Sequence, residues 1–316
     1  MLVFGPIPSR RLGRSLGINN IPPKVCSYSC VYCQVGSTDT MSIQRREFFS
    51  TEEIYNEVKS RVSQLNDAGE IINFLSFVPD GEPTLDVNLG KTIEKLKIFD
   101  IKIAVISNSS LMWDENARND LMKADWVSLK TDSLFNNEWH KINRPHKRLE
   151  LAGIVDGIEK FASDFKGTLC TETMLVRNIN DGMESINKTA QFISNLNPSK
   201  AYILTPVRPP AENWVKTSSE YNLGIAYRIF NSYGINAEFL TSDSAEDFTY
   251  SSDVENELLS ILAVHPMKKK AIEEFLVKAN SDWDLIEYLI EKTEIKEIKH
   301  SGTSYYVKNE KQESTK

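Results

Sequence analysis

Residues 26–33 read Cys-Ser-Tyr-Ser-Cys-Val-Tyr-Cys, so three of the chain's four cysteines, Cys26, Cys30 and Cys33, lie within eight residues. This Cys-x3-Cys-x2-Cys spacing supplies three thiolates from one loop, and no fourth cysteine lies nearby. Iron–sulfur clusters that serve only electron transfer are normally held by four cysteines. A three-cysteine loop leaves one iron free to bind something other than protein, so the spacing predicts a cluster that takes part in chemistry.

Two other roles for these cysteines fit the sequence less well. A structural zinc site needs four Cys or His ligands, but Cys170 is distant and the histidines form no second ligand pair. The histidines are His140, His146, His265 and His300. Disulfides are typical of secreted chains, whereas residues 1–6 lead into arginines rather than an apolar signal segment. We therefore expect a cytoplasmic protein.

The composition limits the class of protein further. A chain of 316 residues, 41% hydrophobic and 26% charged, has room for one large domain and a small one. No apolar run is long enough to cross a bilayer, so we expect no membrane partner. The formal net charge of -7 argues against a generally basic, nucleic-acid-binding surface, although it leaves a local basic patch open.

Short apolar runs alternate with amphipathic stretches, a pattern typical of parallel strands joined by helices. Strands are predicted at 15–20, 72–78, 101–107, 126–131, 168–176, 200–205 and 236–240. The clearest helix follows Ser50, because Ser50 and Glu53 form a capping-box pattern ahead of apolar residues at helical spacing. Further helices are predicted near 88–98, 114–123, 149–164, 182–196 and 218–232.

This order predicts an α/β fold, a partial (β/α)6 barrel of the TIM type over residues 1–240. In such barrels the chemistry lies at the carboxyl ends of the strands, and the cysteine loop directly follows the first predicted strand. Polar clusters follow the next three strands, at residues 80–84, 107–109 and 130–132. We expect these clusters to lie at the same rim as the cysteine loop.

The chain resembles the radical S-adenosylmethionine (SAM) enzymes over about residues 1–240. Their hallmark is the Cys-x3-Cys-x2-Cys loop with an aromatic residue before the last cysteine, which is Tyr32 here. Gly81-Glu82-Pro83 is similar to the family's Gly-Gly-Glu segment, with Asp80 replacing the first glycine. Other segments resemble a branch grouped with wybutosine-synthesis-related iron–sulfur oxidoreductases, largely without assigned substrates: residues 4–13, 33–36, 81–84 and 142–146.

The resemblance implies two cofactors. Cys26, Cys30 and Cys33 would ligate three irons of a [4Fe–4S] cluster, and the amino and carboxylate groups of SAM would bind the fourth. An electron from a donor such as flavodoxin or ferredoxin would cleave SAM to give a 5′-deoxyadenosyl radical, which abstracts a hydrogen atom from the substrate. The resemblance does not identify the substrate and leaves three classes: a tRNA nucleotide, a peptide and a small metabolite.

Six residues at the predicted rim are candidates for SAM binding: Tyr32, Gly81, Glu82, Ser107, Asn108 and Lys130. The ammonium group of SAM suits the Glu82 carboxylate and the carbonyl groups around Gly81, because glycine allows close approach. The polar residues after the next two strands suit the ribose hydroxyls and the carboxylate. Tyr32 and residues 175–176 offer a face for the adenine.

Each polar candidate also has a plainer interpretation. Glu82 precedes a proline and so suits the end of a strand. Asn108 suits a turn. Lys130 has Asp132 as an ion-pair partner close in sequence.

Further charged and thiol groups fall in the barrel region. Arg10, Arg11 and Arg14 precede the first predicted strand and suit phosphate or carboxylate, and a solvated basic turn is the plainer alternative. Glu172 and Cys170 share one face of a predicted strand. Glu172 is a candidate for the barrel interior, whereas a lone cysteine in an apolar strand is usually a core residue.

A different architecture is predicted after residue 240. Residues 241–252 read as a polar, acidic linker, and residues 253–308 show three helical patterns followed by a hairpin around Gly302. This order predicts a small C-terminal winged-helix-like domain. Residues 309–316 are predicted to be a disordered tail.

Winged helices often bind nucleic acid through the third helix. Here that helix carries four carboxylates against one lysine, a balance that phosphate would repel: Asp282, Asp284, Glu287 and Glu291. Protein contact is therefore favoured over nucleic-acid contact. The alternative function is an iron–sulfur sensor, in which the barrel controls a winged-helix module without turnover. A Gly81-Glu82 segment suited to SAM favours the enzyme.

Overall fold

The computed structural model describes residues 2–240, 254–264, 266–300 and 302–309. Residues 2–240 form an α/β fold. Its strands are β1 (Val3–Ser9), β2 (Gly13–Ile18), β3 (Val25–Cys26), β4 (Thr40–Met41), β5 (Phe74–Phe77), β6 (Lys102–Ser107), β7 (Trp126–Lys130), β8 (Thr168–Met174), β9 (Lys200–Leu204) and β10 (Ala237–Leu240). Its helices are α1 (Thr51–Asp67), α2 (Leu89–Leu96), α3 (Glu115–Leu121), α4 (Asn136–Asn143), α5 (Leu151–Asp164), α6 (Met183–Leu196) and α7 (Glu220–Ser232).

One mostly parallel sheet of eight strands organises this region, in the order β1-β2-β5-β6-β7-β8-β9-β10. β1 is antiparallel to β2, and the later neighbours are parallel. Helices connect the parallel strands, so the carboxyl ends of these strands lie at one rim. The seven predicted strands are confirmed, whereas β1, the short pair β3–β4 and α4 lie outside the prediction.

Alternation along the strands separates an apolar face of the sheet from a polar one. Leu75 and Phe77 of β5 are fully buried in the main core, and Ser76 between them faces a cavity on the opposite side. In β7, Leu129 belongs to the same core and Lys130 faces the cavity. The polar face of the sheet therefore presents side chains available for chemistry.

The turn between β1 and β2 packs against the sheet near the amino-terminal ends of four parallel strands. Leu12 in this turn shares a buried cluster with residues from the early parts of β6 to β9: Ala104, Trp126, Cys170 and Tyr202. All four are buried. The position of Cys170 in this cluster agrees with its prediction as a core residue.

The C-terminal unit contains α8 (Val254–Val264), β11 (Met267–Lys268), α9 (Lys269–Lys278), α10 (Asp284–Glu291), β12 (Ile295–His300) and β13 (Thr303–Lys308). Three helices thus precede a hairpin in the predicted order, and β11 adds a third strand to that hairpin. Apolar side chains of the three helices build a separate core. The predicted linker at 241–252 and the predicted tail, apart from Asn309, lie outside the described residues. None of the described helices is long and apolar enough to cross a membrane.

A buried ion pair joins the C-terminal unit to the large sheet. Glu257 of α8 lies 2.9 Å from Arg61 of α1 and accepts a hydrogen bond from the Gly5 N–H at 3.0 Å. Arg61 also donates to the Gly5 carbonyl at 3.0 Å. Ile7 of β1 packs against the C-terminal core and lines the cavity. The C-terminal unit therefore braces the strand that forms one wall of the cavity.

A buried carboxyl lies near the turn that follows β5. Asp86 accepts hydrogen bonds from the Asn88 N–H at 2.9 Å and from the Asn20 side-chain amide at 3.2 Å. Burial raises the pKa of Asp86 from 3.8 to about 6, although these donors and the charge of Arg45 oppose the rise. The neighbouring Asp120 carboxylate raises the pKa further.

Asp86→Asn should weaken the pH dependence of stability. The folded state holds the Asp86 proton more tightly than the unfolded state, so stability falls as the pH rises from about 4 to about 6. A pKa rise of this size corresponds to about 3 kcal/mol. Because the pKa of Glu82 is also raised, the variant should show a smaller fall in the free energy of unfolding in urea across this pH range, whereas wild type shows the full fall. Asp67→Asn, on an exposed side chain of α1, should retain it. Parallel pH curves for Asp86→Asn and the wild type would contradict the prediction.

Candidate active site

Backbone hydrogen bonds fix the cysteine loop, which follows β2, against the turn after β5. β3, which contains Cys26, pairs with β4. The Lys24 N–H donates to the Asp80 carbonyl at 2.6 Å, and the Glu82 N–H donates to the Val25 carbonyl at 3.2 Å. The loop and the first polar cluster therefore meet at one rim, as the sequence predicts.

Cys26, Cys30 and Cys33 line a cavity of about 420 Å³. Five of the six candidate SAM-binding residues line the same cavity: Tyr32, Gly81, Ser107, Asn108 and Lys130. A cavity of this size suits a small-molecule ligand. No three His, Cys, Asp or Glu side chains within the described part of the chain converge on a single-ion position. In the arrangement that the family resemblance implies, each of the three thiols would bind a separate iron of one cluster.

Two asparagine side chains donate hydrogen bonds to cysteine sulfurs. Asn108 Nδ2 lies 3.3 Å from Cys26 Sγ, and Asn143 Nδ2 lies 3.4 Å from Cys30 Sγ. Burial raises the pKa of Cys30 to about 12 and raises the pKa of Cys26 and Cys33 above the ordinary thiol value. The two amides are placed to donate hydrogen bonds to the thiolates that a bound cluster would require.

The side chain of Glu82 lies outside the cavity lining. Its buried carboxylate accepts hydrogen bonds from the Thr84 N–H at 3.1 Å and the Thr84 hydroxyl at 2.5 Å. The Ser107 hydroxyl and the Asn108 N–H also donate to it, each at 2.7 Å. Burial raises the pKa of Glu82 in spite of these donors. The carboxylate thus positions Asn108, while the backbone of Gly81 faces the cavity.

A buried network orients Tyr32. Its hydroxyl donates to Asp132, which also accepts a hydrogen bond from the Asn143 side chain at 2.8 Å. Lys130 Nζ lies 5.2 Å from the centre of the Tyr32 ring, within the range of a cation–π contact. Burial lowers the pKa of Lys130, but the charges of Glu172 and Asp132 outweigh it and leave this pKa raised. Lys130 therefore presents a positive charge to the cavity.

A second buried carboxylate, Glu172 of β8, lines the cavity. It pairs with Arg11 from the β1–β2 turn and accepts a hydrogen bond from the Ser128 hydroxyl at 2.9 Å. Burial raises the pKa of Glu172, yet the charges of Arg11 and Lys130 more than offset this and hold the pKa below its ordinary value. Glu172 therefore stays ionised on the interior face predicted for its strand.

Two contacts at this site are absent from the sequence predictions. Asn143 meets Cys30 across a separation of 113 residues, and Arg11 meets Glu172 across 161 residues. Both Asn143 and Arg11 lie in segments that carry the family resemblance. That resemblance is the sequence feature that points to a role for these two residues. Their partners follow only from the folded chain.

A three-cysteine loop at the carboxyl rim of a parallel sheet is the arrangement that the radical SAM resemblance implies. The family model "Radical SAM superfamily" matches residues 20–193. The chain therefore belongs to the radical SAM superfamily, which identifies it as an enzyme. A UPF0026 protein of Methanocaldococcus jannaschii is 46% identical over 310 residues, which cover 98% of this chain and 96% of that one. This similarity places the chain among the UPF0026 proteins.

Solved structures agree on the fold. A radical SAM methyltransferase from Sphaerobacter thermophilus superposes with a TM-score of 0.54 at 14% identity, covering 73% of this chain and 67% of that one. Streptococcus suis SuiB bound to S-adenosylmethionine superposes with a TM-score of 0.52 at 12% identity, covering 71% of this chain and 49% of that one. At these identities the likeness concerns the fold alone.

Proposed function

We propose that this enzyme binds a [4Fe–4S] cluster through Cys26, Cys30 and Cys33, cleaves SAM reductively and starts a radical reaction on its substrate. The observation that carries the proposal is one cavity lined by the three thiols and five candidate SAM-binding residues. When bound, the two cofactors supply a 5′-deoxyadenosyl radical that abstracts a hydrogen atom from substrate. The proposal leaves three substrate classes open: a tRNA nucleotide, a peptide and a small metabolite.

The cavity walls offer a partner for each part of SAM. Carbonyl groups near Gly81 suit the ammonium group, together with the Glu82 carboxylate, whose oxygens also accept protein hydrogen bonds. Ser107 and Asn108 suit the ribose hydroxyls, and the charge of Lys130 suits the carboxylate. The ring of Tyr32 suits the adenine.

The segment after β9 covers the cysteine loop and helps to exclude water from the cavity. The Glu212 N–H donates to the Val31 carbonyl at 3.1 Å. Arg208, which lines the cavity, donates to the Gln34 side chain at 2.9 Å. Exclusion of water protects a reactive intermediate from side reactions.

We further infer that the open sheet is a partial (β/α) barrel and that residues 254–308 are a winged-helix-like unit. The sequential order of parallel strands supports the first inference, and the order of three helices and a hairpin supports the second. The carboxylates of α10 and of the residue before its N-cap are exposed, which favours protein contact over nucleic-acid contact: Asp282, Asp284, Glu287 and Glu291. No observation on the described residues favours the sensor alternative.

Anaerobically reconstituted protein should convert SAM to 5′-deoxyadenosine and methionine when dithionite is added. The reason is that the cavity holds the three thiols and the SAM candidates together. Chromatography measures both products, and iron and sulfide analysis measures the cluster. Omitting dithionite should suppress both products. Protein with a full cluster and bound SAM that forms no 5′-deoxyadenosine would overturn the proposed function.

A further inference from the structure

A basic strap, residues 141–148, lies beside the cysteine loop. Its sequence, Lys-Ile-Asn-Arg-Pro-His-Lys-Arg, contains four cations and no acidic residue, in a chain whose formal net charge is -7. All four cationic side chains are exposed: Lys141, Arg144, Lys147 and Arg148. The strap is therefore a local positive patch on an acidic protein.

The basic strap is hydrogen-bonded directly to the backbone of the cysteine loop. The Val31 N–H donates to the Ile142 carbonyl at 2.8 Å, and the Ser29 N–H donates to the Asn143 carbonyl at 3.0 Å. The Asn143 side chain also donates to Cys30 Sγ at 3.4 Å. An electron that reaches Asn143 is thus one hydrogen bond from a sulfur that would ligate the cluster.

The strap's cations are not part of the cavity. Among the described residues that line the cavity, none belongs to 141–148. Arg144 pairs with Glu212, whereas Lys141, Lys147 and Arg148 form no ion pair with any residue in the described ranges. Within the described ranges, these three charges therefore have neither an ion-pair partner nor a position at the cavity.

We propose that the basic strap is the docking surface for an acidic, single-electron carrier protein. This inference rests on the proposed function, because SAM cleavage needs an electron from outside the cavity. The carrier loses one electron and delivers it to the cluster held by the three cysteines, and no bond is made or broken in this transfer. Opposite charges on two surfaces steer encounter and raise the association rate at low salt. The position of the strap against Cys30 favours a redox partner over a substrate polyanion.

A matched pair of charge-reversal variants tests the strap. The strap variant carries Lys141→Glu, Lys147→Glu and Arg148→Glu, and leaves Arg144 with its ion-pair partner. The control variant carries Lys59→Glu, Lys91→Glu and Lys97→Glu, three exposed positions at α1, α2 and the turn after α2. Both variants change the net charge by the same amount, so a difference between them reports the position of the charges.

The probe is flavodoxin, an acidic one-electron carrier, used with reconstituted protein at low and high salt. The strap variant should raise the Kd for flavodoxin about tenfold at low salt and slow cluster bleaching by reduced flavodoxin similarly, because several opposed surface charges contribute. The difference from wild type should shrink at high salt, where charges are screened. The control variant should stay within about twofold of wild type, and dithionite-driven 5′-deoxyadenosine formation should be unchanged in both.

Several results would overturn the inference. Equal losses in the two variants would indicate net charge rather than a docking surface. Unchanged flavodoxin binding in the strap variant, with loss of binding to a single-stranded RNA probe, would indicate a nucleic-acid surface. The docking surface would also be excluded if dithionite reduces the cluster of the wild type but reduced flavodoxin does not bleach it. If wild type forms no 5′-deoxyadenosine with dithionite, the proposed function fails, and the flavodoxin Kd still tests the strap separately.

Discussion

Cys30→Ala should abolish both cluster binding and SAM cleavage. Cys30 is the central cysteine of the loop, and its sulfur accepts the amide hydrogen bond from Asn143. Loss of an outer hydrogen-bond partner typically lowers metal affinity or activity about 10–100-fold, so loss of a ligand should exceed about a hundredfold. Iron and sulfide content after anaerobic reconstitution, together with 5′-deoxyadenosine formation, measures the two effects.

Cys170→Ala is the matched control, because Cys170 is the chain's fourth cysteine and lies outside the cysteine loop. Cys170 is buried in a cluster with Leu12 and Trp126, outside the cavity lining. Its truncation should lower the free energy of unfolding by about 1 kcal/mol through lost packing, while cluster content and SAM cleavage persist. A variant pair in which Cys170→Ala loses the cluster and Cys30→Ala keeps it would show that the ligand set is wrong.

The rim of the site is predictable because it depends on local patterns. Apolar runs separated by helical patterns identify the parallel strands, and parallel strands joined by helices place the loops that follow them at one edge. Three thiols within eight residues of sequence need no distant contact to come together. The cysteine loop and the residues at 80–84, 107–109 and 130–132 therefore lie where the sequence predicts.

Other features depend on contacts that no local pattern encodes. β1 contains Gly5, Pro6 and Pro8, residues that argue against a strand, and it forms by antiparallel pairing with β2 at the sheet edge. The direction of the Glu82 side chain is set by donors from Thr84 and the neighbouring strand β6. The sequence identifies Glu82 as important to the site, whereas its partners follow from the packing of two adjacent strands.

Gly81 lies where the turn after β5 crosses the start of the cysteine loop. A Cβ atom at this position would lie 2.0 Å from the Val25 carbonyl oxygen and 2.8 Å from the Ile21 side chain. The Val25 carbonyl also accepts the Glu82 N–H, so neither backbone can yield without moving the other. Val25 directly precedes Cys26, and the first cluster ligand must therefore shift.

Gly81→Ala should lower SAM cleavage by about a hundredfold, since a misplacement of about 1 Å costs that much in an oriented site. The added methyl should also destabilise the fold by about 1–3 kcal/mol through overpacking. Gly224→Ala is the control, because Gly224 is exposed in α7 and its Cβ would meet nothing within 4 Å. That change should stabilise the helix by up to about 1 kcal/mol and leave cleavage unchanged. Cluster content, 5′-deoxyadenosine rate and urea unfolding of both variants measure these effects. Normal cleavage in Gly81→Ala would mean that the cysteine loop tolerates displacement, and that its close contact with Gly81 is not what positions Cys26.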